Sequence, residues 1–266
     1  MELKAQELRV GYGHRVVVED MNLHIDKREI TTIVGPNGCG KSTVLKAITR
    51  LIPHKNGTVL LDGKLLKDYH PKALSRRIGI LPQVHAAPAD FRVRELVGYG
   101  RMPHQKMLSG HSAEDLRVID WAMNSTGVYH LRDKSVYEVS GGERQRVWIA
   151  TVLAQQPEIL FLDEPTTFLD IAHQYETMRL IWKLNRDTGI GVVMVLHDLN
   201  HALHVSDRII VIKEGRKYKE GPPKNVITRE TLQEVWGVDG TIVEWEGRPV
   251  IVYNELEDKE REEHHT

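Results

Sequence analysis

The sequence is poor in cysteine, in long apolar segments and in net charge. Its single cysteine, Cys39, excludes an internal disulfide and suits a reducing compartment. No apolar run approaches the roughly 18 residues that a membrane-spanning helix requires. Residues 1–10 also lack the apolar core of a signal peptide. The formal net charge of −1 argues against a general nucleic-acid-binding protein. These features favour an intracellular protein that does not itself enter a bilayer.

A glycine-rich segment follows the β-branched run Ile30–Val34, which is typical of a buried parallel strand. From Gly35 to Ser42 it is Gly-Pro-Asn-Gly-Cys-Gly-Lys-Ser, which fits the pattern G-x-x-x-x-G-K-[ST]. The apolar residues after Lys41 have helical spacing as far as Pro53, so a helix N-terminus points at the loop. The segment predicts a phosphate-binding loop in which Lys41 reaches the β- and γ-phosphates and the Ser42 hydroxyl ligates Mg²⁺.

A second segment consists of four apolar residues, Ile159–Leu162, followed by the carboxylates Asp163 and Glu164. A short apolar run of this kind is typical of a buried strand. Carboxylates at its end are placed to bring Mg²⁺ and water to the phosphates of a bound nucleotide. Together with the phosphate loop, this segment predicts a protein that hydrolyses a nucleotide.

A third segment, Val139–Arg146, has the sequence Val-Ser-Gly-Gly-Glu-Arg-Gln-Arg. Ser140 is a suitable N-cap, and the apolar residues after it have helical spacing. Here the chain resembles the ATP-binding-cassette (ABC) ATPases, whose signature is usually Leu-Ser-Gly-Gly-Gln. Val139 and Glu143 stand where that signature has Leu and Gln. We call residues 139–146 the signature segment.

The resemblance covers roughly residues 1–220 and implies roles for further residues. Tyr12 would stack on adenine. Asp170 would lie in a loop that crosses a dimer interface. The nucleotide-contacting residues expected from the resemblance are Tyr12, Gly35, Pro36, Asn37, Gly38, Cys39, Gly40, Lys41, Ser42, Thr43, Ser140, Gly141, Gly142, Glu143 and Asp170.

The resemblance also implies a catalytic set at the ends of three apolar runs. Asp163 would bind Mg²⁺, and Glu164 would act as general base or orient the attacking water. Gln83 would contact Mg²⁺ and water and move with a membrane partner. His197 would sense the γ-phosphate. The expected metal ligands are therefore Ser42, Gln83 and Asp163.

The expected fold is α/β: a P-loop NTPase (ABC ATPase) core with an antiparallel β subdomain and an inserted helical subdomain. Residues 1–220 would form the ATPase domain, with short antiparallel strands at its start. The helical subdomain is expected at about residues 86–138, where Ser112 opens a capping-box pattern. Residues 221–254 would form a C-terminal appendage with a hairpin, either a packing extension or a ligand sensor. Residues 255–266 would be a charged tail.

Two segments resemble one branch of the family more narrowly. Residues 93–104 and 163–174 are similar to those of the ATPases that power bacterial uptake of iron–siderophore complexes, haem and vitamin B12. The first segment falls in the predicted helical subdomain, which meets the membrane protein. The resemblance therefore implies ATP hydrolysis that energises an importer of an iron–siderophore, haem or corrinoid complex.

The implied assembly is a homodimer on the cytoplasmic face of the membrane, with ATP and Mg²⁺ as cofactors. Each ATP would lie between Lys41 of one chain and Ser140–Gly142 of the other. The expected partners are two transmembrane permease subunits and, indirectly, a periplasmic or surface substrate-binding protein, but no nucleic acid. Residues 84–104 would dock on the permease, through Arg94 or Arg101 if either side chain is exposed.

Three other functions remain open from the sequence. A soluble ABC ATPase in cluster assembly or DNA repair would have these motifs without a membrane partner. A P-loop kinase or GTPase would need Lys41 but neither Ser140–Gly142 nor His197. A regulatory module that does not hydrolyse ATP would be expected to have lost Glu164.

Overall fold

The computed structural model describes residues 1–84, 86–88, 90–105 and 110–254. The predicted tail at residues 255–266 lies outside the described residues, as do His85 and Ala89 of the predicted docking segment. The strands are β1 (Glu2–Tyr12), β2 (Arg15–Asp26), β3 (Ile30–Val34), β4 (Asn56–Leu61), β5 (Lys64–Leu65), β6 (Ile78–Leu81), β7 (Ile159–Asp163), β8 (Gly191–Val195), β9 (Arg208–Lys213), β10 (Arg216–Gly221), β11 (Gly240–Trp245) and β12 (Arg248–Tyr253). The helices are α1 (Lys41–Ile48), α2 (Pro71–Ser75), α3 (Val93–Tyr99), α4 (Ala113–Ser125), α5 (Gly141–Leu153), α6 (Ile171–Thr188), α7 (Leu199–Val205), α8 (Pro223–Val226) and α9 (Arg229–Trp236).

A six-stranded sheet in the order β10-β9-β3-β8-β7-β6 forms the centre of the fold. Its strands are parallel except β10, which pairs antiparallel with β9. Side chains along β7 alternate between two apolar cores, with Phe161 in one and Leu160 and Leu162 in the other. The sheet is therefore covered on both faces, which explains why its strands are continuous apolar runs.

The strand order determines where the site can form. The central strands β3, β8, β7 and β6 are neighbours, and all four run in the same direction. The loops after their carboxyl ends therefore meet at one edge of the sheet, where α/β proteins bind ligands. This edge receives the phosphate loop, His197, Glu164 and Gln83, although they are far apart in the sequence.

A second, antiparallel sheet in the order β2-β1-β4-β5 packs against α1. The predicted antiparallel strands at the start of the chain are present, but they are not short, since β1 has 11 residues and β2 has 12. Helix α1 ends at Ile48, before the predicted stop at Pro53. Arg50 adopts a left-handed conformation (φ 64°), and the Thr49 hydroxyl donates back to the Leu45 carbonyl (2.8 Å).

Helices α3 and α4 form the helical insertion and pack on α5. Ser112 caps α4 through the predicted capping box, with Asp115 at the third helical position. Arg101 is 3% exposed, and its guanidinium donates to Asp115. Its side chain therefore does not reach the surface and cannot serve as the predicted docking residue. Arg94 is partly exposed and pairs with Asp120.

The C-terminal hairpin forms from β11 and β12, as the sequence predicts, and packs on α7. Its buried residue Ile251 belongs to the same apolar core as the central sheet. The Ile251 N–H donates to Asn200 Oδ1 on α7 (2.8 Å). Among the described residues, no helix combines the length and apolarity needed to cross a bilayer. The predicted domain boundaries at residues 220 and 254 stay predictions.

Candidate active site

The phosphate loop joins β3 to α1 and wraps around the ammonium group of Lys41. Lys41 Nζ donates to the carbonyls of Gly35 (2.9 Å) and Pro36 (3.0 Å), and the side chain is buried. A Cβ on Gly35 would lie 2.1 Å from the carbonyl oxygen of Ile212 on β9, so no larger residue fits there. The loop therefore places a cation inside a backbone concavity at the N-terminus of a helix, the arrangement that binds phosphate.

Ser42 and Asp163 come from sequence segments far apart and meet directly. Ser42 Oγ donates to Asp163 Oδ1 at 2.7 Å. Asp163 Oδ2 is buried without a hydrogen-bond partner among the described residues, and the nearest cation is Lys46 Nζ at 3.8 Å. Burial raises the pKa of Asp163, an effect opposed by the hydrogen bond from Ser42. A buried carboxylate oxygen with a free lone pair beside a hydroxyl is a donor set that suits Mg²⁺.

Glu164 follows Asp163 and is contacted by three other residues. Its Oε2 accepts hydrogen bonds from Gln83 Nε2 (2.6 Å) and Thr167 Oγ1 (3.0 Å). Its Oε1 lies 2.6 Å from His197 Nε2, within hydrogen-bonding distance. The structure thus brings the three predicted catalytic residues, Gln83, Glu164 and His197, into one hydrogen-bonded group.

An open cavity of 930 Å³ is lined by Glu164 and its partners, by the phosphate loop and by residues of the first two strands. Tyr12, at the β1–β2 turn, lies at its rim and is half exposed. A flat aromatic ring and a phosphate loop at the same cavity suit a nucleotide with a base and several phosphates. The lining residues are Tyr12, Arg15, Val17, Asn37, Gly38, Gly40, Lys41, Ser42, Thr43, Gln83, Glu164, Thr167 and His197.

Some predicted contact residues do not line this cavity. Gly141 instead lines a smaller cavity of 250 Å³ beside Gln83, Asp163 and Glu164. Ser140 accepts a hydrogen bond from the Glu143 N–H, and the Glu143 carboxylate accepts one from the Ser140 N–H (2.8 Å). The Glu143 carboxylate is therefore engaged in capping its own helix, and hydrogen bonds from the backbone and the side chain of Ser140 lower its pKa.

Two further predicted contact residues lie apart from the cavity for different reasons. Cys39 is buried in the apolar core under the loop, and burial raises the pKa of its thiol, so it is not activated as a nucleophile. Asp170 is an exposed N-cap of α6. Hydrogen bonds from the His173 backbone and side chain lower its pKa.

The structure adds residues to the site that the sequence analysis did not assign. Lys46 approaches Asp163 from α1. It lies four residues after Ser42, about one helical turn, so the spacing in the sequence already indicated that the two side chains share a helix face. Thr167 lies three residues after Glu164, within a segment noted only for its resemblance. Arg15 pairs with Tyr12 across the hairpin, a placement visible only once the register of β1 and β2 is known.

Comparison with known proteins assigns the chain to a family. Residues 18–167 match the family model of the ABC transporter, and the chain belongs to this family. It is accordingly an ABC ATPase subunit, with the phosphate loop, Asp163 and Glu164 in a cassette that hydrolyses ATP.

Individual relatives match over nearly the whole chain. The iron(3+)-hydroxamate import ATP-binding protein FhuC of Bacillus subtilis (strain 168) is 46% identical, covering 91% of this chain and 90% of FhuC. The ferric enterobactin transport ATP-binding protein FepC of Escherichia coli (strain K12) is 42% identical, covering 94% and 93%. The solved dimeric ATP-binding cassette MJ0796 bound to ADP and Pi has a TM-score of 0.70 at 29% identity, covering 83% of this chain and 98% of MJ0796.

Proposed function

We propose that this chain is the ATP-hydrolysing subunit of a membrane importer for an iron–siderophore complex, with haem and corrinoid complexes as the other cargo classes. The observation that carries the proposal is the similarity to FhuC and FepC along at least 90% of each relative. The names of both relatives describe import or transport of an iron complex. The soluble-ATPase alternative gains no support from them.

At the site, the nucleotide is held at both ends of the 930 Å³ cavity. Tyr12 stacks on the adenine, and Lys41 binds the β- and γ-phosphates. Ser42 and Asp163 would hold Mg²⁺, because the unpaired buried oxygen of Asp163 lies beside the Ser42 hydroxyl. When bound, Mg²⁺ neutralises charge on the phosphate oxygens.

Hydrolysis depends on the group of residues around Glu164. Glu164 accepts the proton of the attacking water or orients that water, while Gln83 and His197 fix the two carboxylate oxygens. His197 also contacts the γ-phosphate, so the same ring touches the phosphate and the base. Because Gln83 lies directly before the helical insertion, its bond to Glu164 links the reacting centre to the docking segment.

The active unit is a head-to-tail homodimer with two shared sites. Ser140–Gly142 and Asp170 do not line the phosphate-loop cavity of their own chain, which supports a role for them at the partner's nucleotide. Two apolar side chains beside Asp170 support this arrangement: Phe168 is 93% exposed and Ile171 is 86% exposed. The similar cassette MJ0796 is a dimer.

The permease contacts a groove of 640 Å³ at α3. Phe91 and Tyr99 form one wall, with ring centroids 5.1 Å apart, and Met102 projects into solvent beside them. Asp90 and Glu95 also line the groove and make it acidic. This surface suits an amphipathic helix of the permease that carries apolar and basic side chains.

In this arrangement the dimer lies on the cytoplasmic face of the membrane beneath two permease subunits. A periplasmic or surface substrate-binding protein would deliver the cargo from the opposite side and act on this chain only through the permease. Closure of the dimer on ATP and its opening after hydrolysis would move the helical insertion against the permease.

The catalytic assignment is tested by Glu164→Gln. The amide preserves the size of the side chain but removes the basic oxygen, so we expect turnover to fall by about 10²–10⁴-fold while ATP binding persists. A stabilised ATP-bound dimer should be visible by size-exclusion chromatography. Hydrolysis within about threefold of wild type would contradict the assignment.

The importer assignment is tested in cells. Deleting the gene should abolish uptake of radiolabelled ⁵⁵Fe on a hydroxamate or catecholate siderophore, and plasmid-borne wild type but not Glu164→Gln should restore it. The chain should also co-purify from membranes with a spanning protein. If it associates with no membrane protein and deletion leaves uptake of siderophore, haem and corrinoid unchanged, the chain is a soluble ABC ATPase instead.

A further inference from the structure

The two glycines at the start of α5 have different surroundings. A Cβ on Gly141 would meet no atom within 4 Å. A Cβ on Gly142 would lie 1.8 Å from Cδ2 and 2.5 Å from Cγ of His173 in the same chain. Space at Gly141 is therefore free for an approaching nucleotide, whereas space at Gly142 is already filled by the imidazole ring.

The same ring contacts Asp170 on its other side. His173 Nδ1 lies 2.8 Å from Asp170 Oδ1, and the His173 backbone N–H donates to that same oxygen (2.9 Å). Because Nδ1 faces a carboxylate, it carries a proton and donates. The backbone bond alone caps α6, and a different side chain at position 173 would leave it in place.

The ring therefore adds something that the cap does not provide. A cap bond orients Asp170 relative to its own helix α6 only. The contact between His173 and Gly142 connects that helix to the N-terminus of α5, where Ser140 and Glu143 cap each other. Asp170 and the signature segment thus meet at opposite sides of one imidazole.

We propose that His173 is a positioning residue that fixes Asp170 and Ser140–Gly142 relative to one another, so that both engage the partner's nucleotide as one rigid surface. The proposal rests on the shared site of the proposed function. His173 would then act on the nucleotide bound to the other subunit. Gly142 is needed because the imidazole ring packs against it, and Gly141 is needed because a phosphate approaches there.

A mixed dimer with one live site tests this placement. One chain carries Lys41→Ala and the other Ser140→Arg, so the live site combines Lys41 of the second chain with Ser140 of the first. His173→Ala is then added to either chain. In the Lys41→Ala chain it should lower kcat about fivefold to tenfold, as expected for loss of one charge-assisted hydrogen bond. In the Ser140→Arg chain it should leave kcat within about twofold.

Three further variants in the Lys41→Ala chain test the contact itself. His173→Asn keeps a donor near the position of Nδ1 and should restore at least half of the activity. Gly142→Ala should inactivate the live site, and adding His173→Ala should recover part of that loss by removing the clash. Gly141→Ala should not be recovered by His173→Ala, which makes it the matched control.

The outcomes separate this inference from the proposed function. An inactive parent mixed dimer, with heterodimers shown to form, overturns the shared site and this inference with it. An active parent in which His173→Ala acts equally in both chains, or in neither, overturns the inference and leaves the shared site standing. Thermal unfolding of each variant identifies a chain that fails to fold. If His173→Ala fails to fold, His173→Asn is compared in its place between the two chains.

Discussion

Replacement of Arg101 should destabilise the helical insertion rather than disturb docking. Arg101 is buried, and its guanidinium makes three hydrogen bonds that join separate elements. Nε donates to Asp115 Oδ1 (2.8 Å), and Nη1 donates to the Ala154 carbonyl (2.8 Å) and to Gln156 Oε1 (2.9 Å). The side chain therefore ties the segment after α3 to the start of α4 and to the end of α5.

The magnitude follows from the burial of the pair. In Arg101→Met, Asp115 is left buried without its cation, and removing one partner of such a pair typically costs about 3–5 kcal/mol. For a chain of this size about 1 kcal/mol lowers the Tm by about 2–4 °C, so we expect a Tm lower by about 6–20 °C. Arg94→Glu is the control, because its pair with Asp120 at 3.3 Å is partly exposed and such pairs contribute about 0–1 kcal/mol.

The pair also predicts a pH dependence. Burial opposes the charge on Asp115, but hydrogen bonds from Arg101 and Ser112 outweigh it and lower the pKa of Asp115 to about 2. Since the unfolded value is about 3.9, the stabilisation is fully present above about pH 4 and is lost as the pH falls towards 2. The stability difference between wild type and Arg101→Met should therefore narrow below about pH 4.

Thermal and urea unfolding of the three proteins, each at several pH values, measure these effects. Hydrogen exchange should show that the loss of protection in Arg101→Met is concentrated in α3 and α4. If Arg101→Met unfolds within about 2 °C of wild type at pH 7, or if Arg94→Glu costs as much, the argument from burial is wrong.

Two other predictions concern the groove and the C-terminal hairpin. Met102→Glu places a charge on the exposed apolar wall of the groove, so ATPase activity of the purified chain should stay within about twofold while siderophore uptake falls roughly tenfold or more. Normal uptake by this variant would place the permease contact elsewhere, and Val243→Glu on the hairpin is the matched control. Ile251→Ala should lower the free energy of unfolding by about 2–5 kcal/mol, because Ile251 is buried against α7. Val252→Ala, on the exposed face of the same strand, should change it by less than about 0.5 kcal/mol in urea unfolding, and equal losses would show that the hairpin is not anchored through Ile251.

Local features of the chain were predictable because their causes lie within a few residues. The phosphate loop needs Gly35 to Ser42 in that order, and Ser112 and Ser140 each cap a helix through a residue three positions on. The extent of an element was harder to predict. Helix α1 ends early because Arg50 turns into the left-handed region, and nothing in the apolar spacing around it signals that turn.

The resemblance to ABC ATPases supplied the candidate site residues beyond the phosphate loop and the two carboxylates, and the structure shows which of them meet. Gln83, Glu164 and His197 form one group, as the shared edge of four parallel strands requires. The solvent exposure of Arg94 and Arg101 was not predictable, because two arginines of one segment differ only in what other segments pack against them. The contact of His173 with Gly142 was likewise not predictable, because it depends on how the N-termini of α6 and α5 pack together.

The sequence by itself determined the chemistry this chain carries: a lysine and a serine in a phosphate loop, and two carboxylates at the end of an apolar strand. Tertiary structure alone decided that Ser42 meets Asp163 and that an oxygen of Asp163 stays buried and unpaired beside it. The physical reason is the range of the forces involved. Backbone turns and caps are set by neighbouring residues, whereas the burial and partners of a side chain depend on how the whole sheet and its helices pack.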